Sequence, residues 1–199
     1  MIKKAGTDHP VHEIIRHRWS PYRFTQRRVS DEDLHALFEA ARWAPSSYNE
    51  QPWRYIIARR EQPEEFNKLV SCLEDSNQAW AQHASVVALA FARTTFERNG
   101  KVNKAAFHDL GAAASFMSFE ATSRGIAVHQ IIGLHPDVVN KKYEVPEEYQ
   151  VLTALAIGYA DLSPDTDGVH AERDNTARSR KKITEFVFHD DWGQALAKL

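Results

Sequence analysis

The sequence predicts an α+β fold in which a central sheet is flanked by helices, in an α/β/α layering. Segments with helical periodicity alternate with short apolar runs along most of the chain. Proline and glycine residues stand at many of the boundaries between these segments. The chain has 199 residues, a length that predicts one domain over 1–199. We expect its strands to form one mixed, mainly antiparallel sheet.

The helices are predicted from capping residues and apolar spacing. Ser30 is a good N-cap, and Asp33 completes an acidic variant of the capping box. Apolar residues at helical spacing follow, so a helix is predicted over 31–43 and ends before Pro45. The other predicted helices are a short one over 12–18, one that begins at Pro63, a long alanine-rich one over 102–124, and a short one after Pro136.

Four apolar or aromatic segments predict strands, at 53–58, 85–91, 126–130 and 151–159. The continuous apolar runs at 85–91 and 151–159 are typical of strands buried on both faces. Residues 161–182 are polar and lack periodicity, and 184–188 predicts a last extended segment. Because one compact chain would hold such a polar stretch poorly, we expect this extended C-terminal segment to reach a partner subunit.

Composition excludes several classes of function. The single cysteine, Cys72, leaves no intramolecular disulfide framework and no multi-cysteine zinc site. A net charge of −2 with interspersed signs argues against nucleic-acid binding. No apolar run approaches the length of a membrane span, so we expect a cytoplasmic protein with no membrane partner. His12 and His17 lie on different faces of their helix, so no metal site is expected there.

The segment RWSPYRF at 18–24 is the first with chemical content. Arg18 and Ser20, two residues apart in an extended turn, can both contact one anion. A solvated basic loop would have the same composition. Basic residues also cluster at 16–28 and again at 173–182, which raises the possibility of one anionic ligand shared by both ends of the chain.

The segment APSSYNEQPW at 44–53 is the second. Asn49 and Gln51 each carry a donor and an acceptor, which suit the polar edge of a planar heterocycle. An ordinary connection between a helix and a strand is the alternative. Glycine-rich dinucleotide and phosphate-loop motifs are absent from the sequence, so any nucleotide or flavin would be held by side chains and other loops.

Together, the two segments and the capped helix between them resemble the opening of the nitroreductase family of flavoproteins. That family has an Arg-x-Ser-x-basic-x-aromatic turn, then a helix that ends in Pro-Ser-Ser-x-x-x-Gln-Pro-Trp. Later segments agree with the resemblance, at 77–80, 108–111, 125–126, 131–133, 155–159 and 178–181. The resemblance extends from about residue 11 to residue 188 and implies a nitroreductase-like fold, FMN as cofactor and a homodimer.

The resemblance implies a phosphate site built from both ends of the chain. Arg18 and Ser20 match residues that hold the FMN phosphate and ribityl chain, and Arg178 and Arg180 match a late basic pair. Tyr22 stands where the family usually has a second basic residue. This departure weakens the phosphate site or passes the contact to one of two neighbours, Arg16 or Arg23.

The flavin ring is expected to lie between two other segments. Ser46 and Ser47 match residues that reach the flavin from the facing subunit, and Asn49 and Gln51 match those that line the ring and ribityl chain. The segment 132–133 matches a place where backbone amides approach the reactive N5 atom. Its residues are Ile132, where some members carry an acidic residue, and Gly133.

The resemblance implies an oxidoreductase that passes hydride from NAD(P)H through flavin N5 to a nitroaromatic, a quinone or an unsaturated carbonyl, by a ping-pong cycle. The flavin carries this chemistry, so no catalytic side chain is expected. Phe107, His108 and Phe116 in the long helix are candidates for substrate stacking or for ordinary packing. The alternatives are dehalogenation or flavin fragmentation, with lids at 92–104 and 161–177, a flavin-binding or ligand-binding dimer without turnover, and a cofactor-free interaction domain.

Overall fold

The computed structural model describes residues 3–163 and 168–195. In chain order the helices and strands are α1 (Glu13–His17), α2 (Asp31–Arg42), β1 (Trp53–Arg59), α3 (Pro63–Val70), α4 (Asp75–Ala81), β2 (Val86–Arg93), α5 (Ala106–Ser123), β3 (Ala127–Ile131), α6 (Pro136–Tyr143), β4 (Tyr149–Gly158) and α7 (Val169–Asn175). Short 3-10 helices lie at Ser47–Asn49 and Ile183–Glu185. No helix of the described residues is long and apolar enough to cross a membrane.

The four strands form one sheet in the order β1-β2-β4-β3. All three strand pairings are antiparallel, with Trp53 opposite Ala92 in β1–β2 and Val128 opposite Ile157 in β3–β4. The register of β2 against β4 shifts between Ala90 and Phe91. The predicted α+β class is therefore confirmed, and the parallel pair of a mixed sheet is not found among the described strands.

Strand β2 lies at the centre and separates two cores, as its continuous apolar run predicts. Alternate side chains of a strand point to opposite faces. Val87, Leu89 and Phe91 therefore pack towards α3, α4 and α6, whereas the alanines of β2 face α2 and α5. This arrangement gives the α/β/α layering, with a separate apolar core on each face of the sheet.

Small residues allow α5 to lie close to the sheet. The β2 face below it carries Ala88, Ala90 and Ala92, and α5 presents Ala113 and Ala121, all fully buried. The opposite face of α5 is exposed and carries large apolar side chains. The helix thus packs on the sheet through one face and leaves an apolar face uncovered, which is unusual for the surface of a soluble chain.

The predicted start of the long helix at 102 is wrong. Val102 pairs with Thr95 in an isolated bridge, and the side chain of Asn103 accepts a 3.0 Å hydrogen bond from the backbone N–H of Ala105. These contacts hold residues 102–105 in a turn, and α5 begins at Ala106. Helical periodicity does not identify the first residue of α5, because the turn before it is fixed by pairing with Thr95, earlier in the chain.

Three further elements differ from the sequence-based expectation. Helix α4 was not predicted, since only Trp80 and Ala81 of its seven residues are buried. The expectation that 161–182 lacks regular structure is wrong at α7, which packs on its own chain through Asp174. The extended segment expected at 184–188 begins instead as a 3-10 helix, because the Glu185 carboxylate accepts a 2.7 Å hydrogen bond from the Lys182 N–H.

Candidate functional site

A cavity of about 340 Å³ opens between α1, α5 and the edge strand β3. Its lining brings together both ends of the chain and is polar on one side. The lining residues are Ile15, Arg18, Ser115, Ser118, Phe119, Gln130, Arg178 and Arg180. Three of these eight are arginines and none is acidic, so the described part of the cavity wall carries a net positive charge. We call this space the arginine cavity.

Arg18 is the most deeply placed of the three arginines. Arg18 is the C-cap of α1, and its backbone N–H donates to the carbonyl of Ile14 at 2.9 Å. Its guanidinium Nη1 donates to Ser20 Oγ at 3.2 Å. Burial lowers the pKa of Arg18, and the charges of Arg178 and Arg180 lower it further. The local structure thus joins the two residues that the sequence predicts to hold an anion, and the folded chain disfavours the charge that an anion would stabilise.

Arg178 is held in place by the N-terminal part of the chain. Its Nη1 donates to the carbonyl of Lys3 at 3.2 Å and to that of Arg16 at 3.1 Å. Burial lowers the pKa of Arg178, and the charge of Arg180 lowers it further. Arg180 is exposed, and its Nη1 donates to the carbonyl of Ser179 at 2.7 Å. The structure therefore brings Arg178 and Arg180 to the cavity that Arg18 lines.

Tyr22 does not line the arginine cavity. Its ring stacks on His170 and meets Trp80 and His129 edge-on, at centroid separations of 5.5, 5.1 and 4.8 Å respectively. The basic residue expected at this position is thus replaced by an aromatic one that packs between the sheet and α7.

Neither neighbour proposed as a substitute lines the arginine cavity. Arg23 Nε lies 3.5 Å from the carboxylate of Asp174, and Arg23 Nη1 donates to the carbonyl of Ser163 at 3.2 Å. Arg16 donates to Glu13 at 2.7 Å. The positive charge of the cavity wall comes from the other three arginines.

The segment 46–51 adopts a strained backbone. Tyr48, Asn49 and Gln51 have φ angles of 54°, 56° and 50°, in a region that L-residues other than glycine seldom occupy. Two hydrogen bonds hold this conformation: Ser46 Oγ accepts from the Gln51 N–H at 3.0 Å, and Asp109 accepts from the Ser47 N–H at 2.9 Å. Strain of this kind concentrates at ligand-binding segments.

Within one chain, this segment and the three arginines line different cavities. Asn49 and Gln51 line a second cavity of about 300 Å³ together with Arg42, Trp43 and Ala44. The linings of the two cavities, as described, share no residue. The structure thus brings together Arg18, Ser20, Arg178 and Arg180 and brings together Ser46 to Gln51, but it does not join the two groups.

The segment 132–133 follows β3 directly. Ile132 is 73% exposed. The Gly133 carbonyl accepts hydrogen bonds from the Glu74 N–H and from Asn77 Nδ2, each at 3.1 Å. A Cβ at Gly133 would lie 2.7 Å from Glu74 Oε2 and closer still to Asn77 Nδ2, so the position suits glycine. Gln130 of β3, two residues before Ile132, lines the arginine cavity, so this segment lies near the cavity.

Sequence reasoning missed Ser115, Ser118, Gln130 and the buried carboxylate of Asp109. Asp109 is 3% exposed, and an acidic residue in an alanine-rich helix is the one signal that could have identified it. Of the stacking candidates, Phe107 and Phe116 are exposed on α5 at 37% and 41%, on opposite sides of the helix. The described residues contain no group of three or more histidine, cysteine or acidic side chains able to hold a metal.

The chain matches the model of the nitroreductase family over residues 15–159. It is similar to a solved structure described as an oxidoreductase containing FMN, with 28% identity, a TM-score of 0.86, and coverage of 95% of this chain and 96% of the other. A nitroreductase family protein of Clostridium difficile 630 has the same fold, with 23% identity, a TM-score of 0.70 and coverage of 89% and 96%.

Among relatives known by sequence, an Archaeoglobus fulgidus protein named "Putative NADH dehydrogenase/NAD(P)H nitroreductase" is 25% identical over 168 residues. The match covers 75% of this chain and 90% of that protein. A Mycolicibacterium smegmatis protein without a functional name is 28% identical over 151 residues, with coverage of 72% and 99%. These matches extend over most of both partners in each comparison.

Proposed function

Because this chain belongs to the nitroreductase family, we propose that it is an FMN-dependent oxidoreductase that passes hydride from NAD(P)H to a small-molecule acceptor. The acceptor classes are nitroaromatics, quinones and unsaturated carbonyls. The similarity to an FMN-containing oxidoreductase supports the cofactor, and the name of the Archaeoglobus relative supports the nicotinamide. The arginine cavity is the single observation on this chain that carries the proposal.

The donors around the arginine cavity fit the FMN phosphate. Burial and neighbouring positive charge lower the pKa of Arg18 and of Arg178, and an anion with two negative charges would offset this cost. Hydrogen bonds between charged partners are the short, strong kind, and a phosphate accepts several of them at once. Ser20 adds a hydroxyl beside Arg18. We assign the phosphate to these four residues.

The ribityl chain needs neutral donors and acceptors next to the phosphate. Ser115 and Ser118 of α5 and Gln130 of β3 line the same cavity. Ser118 Oγ is engaged with the Ala114 carbonyl at 2.7 Å, and Ser115 Oγ with the Gly111 carbonyl at 2.9 Å, so each donates to its own helix and leaves oxygen lone pairs for a ligand. Gln130 offers both kinds of group.

Bound FMN would supply the redox chemistry through its N5 atom. The residues of this chain would orient it and stabilise charge on its ring. Ile132 and Gly133 present backbone after the end of β3, and the two hydrogen-bond donors to the Gly133 carbonyl fix that backbone. A preorganised N–H costs little to align with developing negative charge. No side chain is assigned as general acid, and solvent would deliver the proton to the acceptor.

We further propose a homodimer in which the segment 46–51 of a second copy completes the site. Within one chain this segment lines a different cavity from the three arginines, which supports that arrangement. Phe116 and Phe119, three residues apart on α5 and both exposed, support an interface there. Contiguous exposed apolar surface commonly marks a site of association. A cytoplasmic location accords with this function and stays a prediction.

Steady-state kinetics with reconstituted enzyme test the proposal. The oxidation of NADH and of NADPH is followed with a nitroaromatic, a quinone and an unsaturated carbonyl in turn, each over a range of concentrations. Parallel double-reciprocal plots are expected, because the nicotinamide and the acceptor use the same space in succession. If flavin is retained but none of the three acceptors supports oxidation of NADH or NADPH, the result would contradict an oxidoreductase and favour a flavin-binding dimer.

A further inference from the structure

We propose that Asp174 is a positioning residue for the cofactor phosphate. It fixes the C-terminal segment 169–180 to the turn at 20–24, and this attachment holds Arg178 and Arg180 at the arginine cavity. The inference rests on the proposed binding of FMN. It assigns a role to a buried carboxylate that itself lies outside the lining of the cavity.

Asp174 is placed to bind backbone rather than solvent. Its side chain is 3% exposed. Oδ1 accepts a hydrogen bond from the Tyr22 N–H at 2.9 Å, and Oδ2 accepts one from the Arg23 N–H at 3.1 Å. Arg23 Nε lies 3.5 Å from Oδ2. Removing a buried carboxylate that has two backbone donors and a guanidinium beside it is costly, because the donors left behind have neither water nor a partner.

The ring of Tyr22 adds a second attachment of α7 to the same turn. His170 stacks on it with planes 17° apart, and the guanidinium of Arg173 lies 5.1 Å from its centroid. A basic side chain at this position would place a positive charge beside Arg173 and repel it. Tyr22, which stands where the family usually has a basic residue, therefore packs α7 on the turn through its ring. Asp174 attaches α7 to the same turn through the backbone N–H groups.

The attachment limits how far the two arginines can move. Arg178 follows Asp174 by four residues, so a fixed Asp174 confines the Cα of Arg178 to within about 14 Å of its own. Without this attachment the two arginines could move further from the cavity before a ligand binds. Lys3 Nζ also donates to the Arg173 carbonyl at 2.7 Å, and Arg178 donates back to the Lys3 carbonyl. Prior ordering of this kind lowers the entropic cost of binding.

The decisive test compares FMN with riboflavin, which has the same ring and ribityl chain and lacks the phosphate. Dissociation constants of both are measured by flavin fluorescence for the wild type, for Asp174→Ala and for Glu172→Ala. Glu172 is exposed on the same helix and provides the matched loss of one negative charge. We expect Asp174→Ala to weaken FMN by about tenfold, with riboflavin unchanged within about twofold and Glu172→Ala without effect.

Equal weakening of FMN and riboflavin would overturn the assignment, since it would indicate a general loss of structure. An unchanged FMN constant would overturn it as well. Asp174→Asn gives a second variant if the alanine variant does not fold. Its amide oxygen still accepts from one backbone N–H, so we expect a loss of FMN affinity between those of the wild type and the alanine variant.

Digestion of the flavin-free protein separates this proposal from the binding of FMN itself. Trypsin cleaves after the basic residues at 178–182, and cleavage is faster when the backbone of that segment opens locally. We expect faster cleavage there in Asp174→Ala than in the wild type or in Glu172→Ala. If the wild type binds no FMN, the proposed function is wrong. The cleavage rates still test whether Asp174 attaches the C-terminal segment, because they are measured without FMN. An unchanged cleavage rate would overturn the attachment.

Discussion

The carboxylate of Asp109, buried in the first turn of α5, accepts a 2.9 Å hydrogen bond from the backbone N–H of Ser47. This contact joins α5, which packs on the sheet, to the strained segment 46–51. Ser47 precedes Asp109 by 62 positions in the chain. Since three residues of that segment hold positive φ angles, the backbone needs such an anchor to remain in place. Asp109 thus connects α5 to the segment that we assign to the flavin ring.

Asp109→Ala is predicted to lower the free energy of unfolding by about 1–3 kcal/mol, because the Ser47 N–H loses its partner. Asp109→Asn retains an acceptor and should lose less. Urea unfolding of the flavin-free protein measures both. Asp137→Ala is the matched control, an exposed acid in the first turn of α6. Equal losses in the alanine variants at 109 and 137 would show that Ser47 gains nothing from the contact.

Arg18→Gln is predicted to leave the stability of the flavin-free protein unchanged or higher, because burial and the like charges of Arg178 and Arg180 disfavour the guanidinium there. Its affinity for FMN should fall by at least about tenfold. Thermal unfolding with and without FMN measures both effects, and the rise in Tm caused by FMN should largely disappear. Arg28→Gln, at an exposed arginine paired with Asp31, should keep that rise. A full Tm rise in Arg18→Gln would contradict the phosphate assignment.

The stability of the protein is predicted to fall as the pH decreases below about 6.5, through His129. Burial lowers the pKa of His129 below its ordinary value of 6.5, and the charge of Arg18 acts in the same direction. The Pro21 carbonyl and the carboxylate of Asp174 oppose this shift. The unfolded chain therefore takes up the proton first, and the stability present above pH 6.5 is lost as the pH falls towards the folded-state pKa.

Urea unfolding at a series of pH values measures this dependence. His129→Gln should flatten the slope between the two pKa values, whereas the same change at the exposed His83 should leave it as in the wild type. A slope that persists in His129→Gln would assign the effect to another group.

Gly133→Ala is predicted to lower the free energy of unfolding by about 1 kcal/mol. The new Cβ would displace Asn77 Nδ2 and Glu74 Oε2, both of them ends of side chains, so the cost is a lost hydrogen bond to the Gly133 carbonyl rather than a backbone clash. Thermal unfolding measures it. Gly6→Ala, where a Cβ meets no atom within 4 Å, serves as the control and should be neutral. A neutral Gly133→Ala would mean that the Asn77 contact contributes nothing.

Phe116→Glu is predicted to dissociate the proposed dimer, because it places a charge in the exposed apolar surface that Phe116 forms with Phe119 on α5. Light scattering coupled to size-exclusion chromatography measures the mass. Ile57→Glu is the matched control, since Ile57 on β1 is also 41% exposed. A wild-type protein that is monomeric at micromolar concentration, or a Phe116→Glu variant that remains dimeric, would contradict an interface on this face.

Much of the fold follows from local patterns in the sequence. The capping box at Ser30 and the continuous apolar run of β2 identify their elements because helix caps and strand burial depend on neighbouring residues. Helices α4 and α7 were missed for the opposite reason. Each is seven residues long with two buried side chains, so its periodicity is too brief to detect and tertiary contacts hold it in place.

The candidate site divides in the same way. Arg18, Ser20, Arg178 and Arg180 could be named from motifs, and the structure places them together. The part played by Asp174 could not, because its contact with the Tyr22 N–H spans 152 positions and involves backbone donors that carry no sequence signal. Anchoring contacts of this kind join residues far apart in the sequence and are visible only in the folded structure. Binding motifs are local in the sequence, so they can be recognised before the structure is known.

The most direct test of the proposed function is the visible absorption spectrum of the protein after reconstitution with FMN and desalting. The spectrum is recorded anaerobically before and after addition of NADH or NADPH, and again after a nitroaromatic or a quinone. We predict that flavin is retained, that its visible absorbance bleaches with a nicotinamide and that it recovers with the acceptor. A colourless protein after desalting, or bound flavin that neither nicotinamide reduces, would contradict the assignment of an FMN-dependent oxidoreductase.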